Sequence, residues 1–463
     1  MLNNEIDYAL VGHNFITFLL SIGLLKKGKK VLVLDDDRFN YGDFFTNSLT
    51  LLDVEFLRSW GELGDLSPVK NIDSYLSPQT IYFFVGKKQI ILGDNPFRNY
   101  RELCRKFPNL FMTDDNCSLL EKNALLDFNS DYNEFCTKVT KEIFQEKRSS
   151  KMAKLFEATI PPKLLMHFNH FFSLFARKDN MSEIESSEFN ALIFMTRGFF
   201  QNRLSTTGSR AEIMHLFFSL ISPYFIFDHE KLIKDLLDVH ISAKGEFKKL
   251  NLADLKFQKG LVKSFELESF EGIIRPKKMA FIGGYPVGLP IQLKTSSKSY
   301  NCLNISLKFK NTLPNLLQNK KLIFSSAMKI GTDWPFWEAQ FIESTAVFNI
   351  IMAKREGGKV DFIRERVIKL LENDLNYLFP EYEFAMDNIE MKFTLDVFIQ
   401  DFDFNSYKRT EASLGKKLVE VLEDSAPLIF SRLKNVLYFG PYNEAALGTF
   451  SSLIEIKKWK ESL

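Results

Sequence analysis

Apolar positions change their period along this chain, and the changes mark out the elements. Ile6 to Val11 is a short apolar run that stops at Gly12, the pattern of a buried strand. Phe15 to Lys27 follows as a helical stretch that Gly28 ends, and Val31 to Leu34 is a second apolar run reaching Asp35. Further on, Asp131 to Ala158 and Lys163 to Phe175 read as helices broken apart by Pro161 and Pro162. In Gly208 to Phe227 the apolar residues Ile213, Met214, Leu216, Phe217, Leu220 and Ile221 have helical spacing, and an apolar strand comes after them. Lys231 to Phe270 reads as short strands and turns, such as LLDVHIS and LVKSFELES, and Met279 to Gly284 as a strand ending at a double glycine. Residues 302–310, 321–329, 340–352 and 391–400 supply strands for an antiparallel sheet. Asp361 to Leu378 is an amphipathic helix with Phe362, Val367, Leu370, Leu371 and Leu375 among its apolar positions. Near the end, Asn435 to Phe439 reads as a strand, Gly440 as a turn, and Leu447 to Trp459 as a closing helix.

Strand, glycine turn, helix, strand and terminal acid within the first forty residues form the opening βαβ of a dinucleotide-binding fold. Asp35 lies 23 positions beyond Gly12, where it can bond a ribose hydroxyl. The glycines of that motif are mostly replaced. Its six positions read Gly12, His13, Asn14, Phe15, Ile16 and Thr17, so the turn glycine alone survives. Asn14 is expected to project where a phosphate would lie against bare amides. Thr17, β-branched, is expected to hold the helix slightly off the sheet. His13 reads as a half-exposed turn histidine, since the helix dipole opposes its protonation.

Composition narrows the field. Lys and Arg total 60 against 58 for Asp and Glu, which gives no whole-chain attraction to nucleic acid or an anionic membrane. The 47 phenylalanines stand largely for core positions filled by leucine elsewhere. Cys104, Cys117, Cys136 and Cys302 show no CxxC spacing, which argues against zinc, iron–sulfur clusters and a disulfide framework. His167 and His170 share a helix face without a third ligand in view, so no metal is expected. The longest mostly apolar run, Phe15 to Leu25, is about half of the ~20 residues that span a bilayer, and the polar start leaves no room for a signal peptide. A cytoplasmic protein is expected. GxSxG, GK[ST] and HExxH are missing from the sequence. Lys26, Lys27, Lys29 and Lys30 read as the solvated end of a helix, and Arg275 to Lys278 as a turn.

The opening resembles the superfamily shared by Rab GDP-dissociation inhibitors, Rab escort proteins and FAD-dependent enzymes of the amine oxidase and phytoene desaturase type. From Gly12 to Gly42 the chain lies on the inhibitor pattern without a gap, matching at Gly12, Leu20, Ser21, Gly28, Lys29, Lys30, Val31, Leu32, Asp35 and Gly42. The inhibitors also lack the third glycine and use no flavin. Their Tyr-Tyr-Gly-Gly, part of the GTPase platform, reads Phe39, Asn40, Tyr41, Gly42 here, and Tyr41 also replaces a glycine by which the flavoenzymes approach their cofactor. At the C-terminal turn the flavoenzymes place an acid after the glycine, and here Pro441 follows Gly440.

The resemblance implies an α/β chain with a Rossmann-type FAD/NAD(P)-binding domain and a second, α+β substrate-type domain of mixed antiparallel sheet plus helices. Residues 1–58, 203–290 and 428–463 would form the first, discontinuous, and 59–202 and 291–427 the second. Cofactor-binding positions would be Gly12, Asn14, Asp35, Gly42 and Gly440. Catalytic residues are not identifiable. One reading is a non-catalytic binding protein with a degraded cofactor loop and a small GTPase-like protein or a hydrophobic small molecule as partner. The other is an FAD-dependent oxidoreductase acting on a hydrophobic or amine substrate.

Overall fold

The computed structural model describes residues 5–35, 48–63, 67–108, 122–145, 160–176, 183–201, 210–249, 255–258, 261–266, 273–282, 300–310, 317–318, 320–325, 336–353, 360–380, 386–397, 428–429, 436–439, 453 and 456. The strands are β1 (Glu5–Val11), β2 (Val31–Asp35), β3 (Ser48–Thr50), β4 (Leu76–Val85), β5 (Lys88–Leu92), β6 (Tyr224–Phe227), β7 (Glu246–Lys249), β8 (Leu255–Gln258) and β9 (Leu261–Glu266). They continue with β10 (Ile273–Ile282), β11 (Tyr300–Phe309), β12 (Lys320–Ser325), β13 (Phe336–Ile342), β14 (Thr345–Ala353), β15 (Met386–Val397), β16 (Leu428–Ile429) and β17 (Val436–Phe439). The helices are α1 (Phe15–Lys26), α2 (Leu51–Leu63), α3 (Ser67–Lys70), α4 (Pro96–Lys106), α5 (Lys122–Gln145), α6 (Pro162–Ala176), α7 (Glu183–Gln201), α8 (Arg210–Ile221), α9 (His229–Ser242) and α10 (Val360–Leu378).

Two sheets organise these elements. The first runs β16-β17-β10-β1-β2-β7, with β1 parallel to both β10 and β2. Strands covered on both faces must be apolar along their whole length, and β2 is buried at every position. Helix α1 is buried from Phe15 to Leu24 because α9 covers the side that the sheet does not, as the Phe18–His240 ring contact at 5.8 Å records. Gly28 ends α1 with a φ of +74°, its amide donating to the Leu25 carbonyl at 2.8 Å. β8 and β9 form an antiparallel pair laid against β10, within the region that the sequence reads as short strands and turns.

The second sheet runs β15-β11-β14-β13-β12-β4-β6-β3, with β5 on β4. It is antiparallel except where β12 and β4 run parallel. Val367, Leu371 and Leu375 press α10 onto one face, against Trp337, Phe341 and Phe348, and the Trp337 indole donates to Asp374 at 2.8 Å. A larger core extends from the parallel sheet through α2, α4, α5 and α8 to the other face of β4 and β12.

Three local expectations are corrected. LLDVHIS belongs to α9, which Asp228 caps and which buries Leu232, Leu236 and His240 at four-residue intervals. Residues 340–352 are a hairpin rather than one strand, turning at Glu343 with a φ of +53°. Arg275 to Lys278 is strand, paired to β1, not a turn.

Candidate functional site

The carboxyl ends of β1, β2 and β10 meet where a doubly wound sheet binds its ligand. Gly12 leaves β1 with a φ of +135°, and a Cβ there would lie 2.4 Å from the Ile282 carbonyl oxygen. The close passage of β10 therefore requires glycine whether or not a cofactor is present. The Gly12 amide donates to the Leu34 carbonyl at 2.9 Å, which ties the turn to β2.

Asn14 caps α1 from an extended backbone, and its side chain is fully engaged within the fold. Oδ1 accepts from the Thr17 amide at 3.0 Å and from Thr17 Oγ1 at 3.1 Å. Nδ2 donates to the Ile282 carbonyl at 2.9 Å. The side chain thus turns back onto the helix end instead of projecting into the phosphate position. Thr17 does not prop the helix away: it is fully buried, with its hydroxyl satisfied by Asn14.

Asp35 stands at the end of β2, 9% exposed, with the His13 imidazole Nδ1 3.7 Å from Oδ2. His13 is held in turn by ring contacts with Phe18 and Phe247 at 5.8 and 5.3 Å. The turn histidine therefore covers the acid expected to meet a ribose. The structure brings Gly12, Asn14 and Asp35 together; Gly42, Tyr41, Gly440 and Pro441 lie outside the described residues.

Asn14 takes up one of the first-turn amides that an FAD pyrophosphate would use. A phosphate at a helix N-terminus is held by first-turn amides. Here the Thr17 amide is already bonded to a neutral side chain anchored at both ends. A phosphate seated on the Thr17 amide would displace Asn14 from a buried hydrogen bond worth about 1 kcal/mol net.

A second polar cluster lies in the other sheet, and sequence reasoning missed it. Lys321 on β12 is buried, 3.4 Å from Glu338 Oε2 and 3.4 Å from Ser48 Oγ, with its ammonium 4.4 Å above the Phe199 ring. Asn349 donates to Glu338 at 2.7 Å, and Ser48 donates to the Gln79 side chain. Burial pulls the Lys321 pKa below its ordinary value against the attraction of Glu338. The available signal was alternation in KKLIFS, which sets Lys321 on the same face as Ile323.

The histidines have structural partners. His167 lies 3.1 Å from the Tyr100 hydroxyl, and burial pushes its pKa down to about 4, as it does for His215. His240 donates from Nε2 to the Glu246 carbonyl at 3.0 Å and accepts at Nδ1 from Ser21 at 2.7 Å. Among the described residues no group of three His, Cys, Asp or Glu could hold a metal. Cys104 and Cys136 are buried free thiols, and burial pushes Cys104 up to about 12, so neither is a nucleophile at neutral pH. No described helix is long and apolar enough to cross a membrane.

No family model matches this chain, and no curated protein matches it. Many solved structures do. An oxidoreductase from Methanosarcina mazei aligns over 98% of this chain and 99% of its own, at 11% identity and a TM-score of 0.51. A Rab GDI from Plasmodium falciparum aligns over 99% and 98%, at 13% identity and 0.46. A peptidyl tryptophan dihydroxylase matches 84% of this chain at 9% identity and 0.41, and this chain spans 56% of its length. The M. mazei likeness shows the fold alone: an α/β chain with a Rossmann-type parallel sheet beside a mixed sheet and helices.

Proposed function

We propose that this chain is a non-catalytic, GDP-dissociation-inhibitor-like binding protein whose nucleotide loop is closed on itself, working in the cytoplasm on a protein or lipid partner. The observation that carries this reading is Asn14, which joins the Thr17 amide to the Ile282 carbonyl and so takes up a first-turn amide that a pyrophosphate would use. Further support comes from His13 beside Asp35 and from a turn glycine that β10 demands for its own packing. The resemblance of Gly12 to Gly42 to the inhibitor pattern makes a small GTPase-like protein the first partner to try, with a hydrophobic small molecule next.

The test compares the natural chain with Asn14→Gly/Thr17→Gly in FAD titrations. The natural chain is expected to take up no FAD, and the double variant is expected to gain measurable binding because the amide of residue 17 is released. Stoichiometric uptake by the natural chain would refute the reading.

A second reading is an FAD-dependent oxidoreductase acting on a hydrophobic or amine substrate. It is favoured by the buried Lys321–Glu338 pair, since a buried ion pair is weak support for stability and polar groups with shifted pKa values gather at working sites.

A further inference from the structure

The opposite end of the parallel sheet, where β1 and β2 begin, carries a charge cluster that the sequence scatters. Lys26, Lys27, Lys29 and Lys30 leave α1 and enter β2, and Lys277 and Lys278 lie some 250 positions later on β10. β1 brings them together. Asp7 and Tyr8 both donate backbone amides to the Lys30 carbonyl, at 3.0 and 3.1 Å, and Tyr8 pairs with Lys278 across the ladder. The Asp7 carboxylate accepts from the Lys30 amide at 3.0 Å and from the Lys277 ammonium at 2.8 Å. These lysines together hold its pKa below the usual carboxylate range, the Lys277 bond foremost, with Lys29 contributing.

Lys30 and Lys277 thus bond Asp7 with Lys29 acting on it, Lys278 stands over the neighbouring Tyr8, and Lys26 and Lys27 end α1, in a chain whose formal net charge is +2. Lys26, Lys27, Lys30 and Lys277 are exposed and Lys29 and Lys278 half-buried. Cations at the C-terminal end of α1 are favoured by the helix dipole, which explains part of the cluster but not the two lysines on β10.

We propose that this end of the sheet is a docking surface for an anionic lipid bilayer. The cationic side chains described there belong to lysine, a strongly hydrated point charge suited to diffuse attraction by a charged plane. Nucleic-acid surfaces favour arginine forks and exposed aromatic rings on which bases stack. The aromatic ring of the patch, Tyr8, is buried beneath Lys278, whose ammonium stands 5.9 Å from the ring centre. None of the large apolar side chains exposed among the described residues belongs to the two lysine segments, so docking is peripheral and reversible rather than inserted. β1 separates this end from Gly12 by roughly 15 Å, four to five residues at about 3.3 Å each, so the proposal stands independently of the nucleotide loop.

The experiment is co-sedimentation of the full chain with vesicles of phosphatidylcholine alone and of phosphatidylcholine with about a third phosphatidylserine, at low and high salt. Binding is expected to the anionic vesicles alone and to be lost at high salt, as screening requires. Lys29→Glu/Lys30→Glu/Lys278→Glu is expected to weaken partitioning by at least 100-fold, since each lysine near the surface contributes about five-fold. Lys308→Glu/Lys310→Glu, on exposed lysines at the end of β11 and just beyond it, changes charge elsewhere and is expected to lower binding far less. Circular dichroism of each variant guards against misfolding, and a Lys29→Gln/Lys30→Gln/Lys278→Gln chain replaces any that fails it. Equal binding to neutral vesicles, equal loss in the control variant, or tighter binding to a duplex DNA than to the anionic vesicles would overturn the proposal.

Discussion

Asn14 decides how the first turn of α1 is satisfied, and one atom of its side chain separates two accounts of it. If Asn14 were simply a helix cap, Asp would serve as well, because both offer an oxygen to the first-turn amides. The structure adds a second bond, Nδ2 to the Ile282 carbonyl, that a carboxylate cannot make and would oppose. Asn14→Asp is therefore expected to destabilise the chain by about 2 kcal/mol, through a lost donor and an oxygen facing an oxygen in a buried site. Urea denaturation measures it, and a loss below about 0.5 kcal/mol would reduce Asn14 to an ordinary cap. The sequence showed the departure from glycine at this position but not its meaning. Ile282 lies 268 positions away, and no local pattern joins the two.

Elements with a clear period were legible and those set by distant partners were not. α10 was read almost to its ends because Val367, Leu371 and Leu375 recur every four residues. α9 was read as strand and turn at LLDVHIS, since the helical face of Leu232, Leu236 and His240 includes a histidine that becomes apolar-like only once Ser21 and Glu246 satisfy both ring nitrogens. The β13–β14 hairpin was hidden because Glu343 takes a left-handed backbone that sequence rules reserve for Gly or Asn. The contact of α10 with its sheet makes its own prediction. Burial raises the Asp374 pKa to about 6 from 3.8, against the Trp337 hydrogen bond that lowers it. The folded chain thus binds more protons than the unfolded chain between about pH 3.8 and 6, so the carboxyl's contribution is best at low pH and is lost as pH rises through that window. Asp374→Asn keeps an acceptor for Trp337 and does not ionise. It is expected to raise stability at pH 7 by about 1 kcal/mol, with the gain vanishing below about pH 4. Thermal melts at pH 4 and 7 check this, and an equal effect at both would contradict the assignment.

For the whole molecule, the scaffold was legible and the state of its site was not. Spacing from Gly12 to Asp35 and the run of helical and strand-like segments sufficed for a Rossmann-type chain, because that fold is written in local periodicity. Whether the loop is open depends on side chains that meet across β1, β2 and β10. Asn14 meets Ile282, His13 meets Asp35, and at the far end Asp7 gathers lysines from two segments. The Lys321–Glu338 cluster likewise needs β12, β13 and the residue that opens β3. The common fold therefore carries no activity with it. The measurement that bears most directly on the account is a visible absorption spectrum of the purified natural chain, before and after denaturation and after incubation with excess FAD. The account predicts a colourless protein that retains no FAD after gel filtration. A flavin band near one equivalent, present on purification or after reconstitution, would contradict the closed loop and make this chain a flavoprotein.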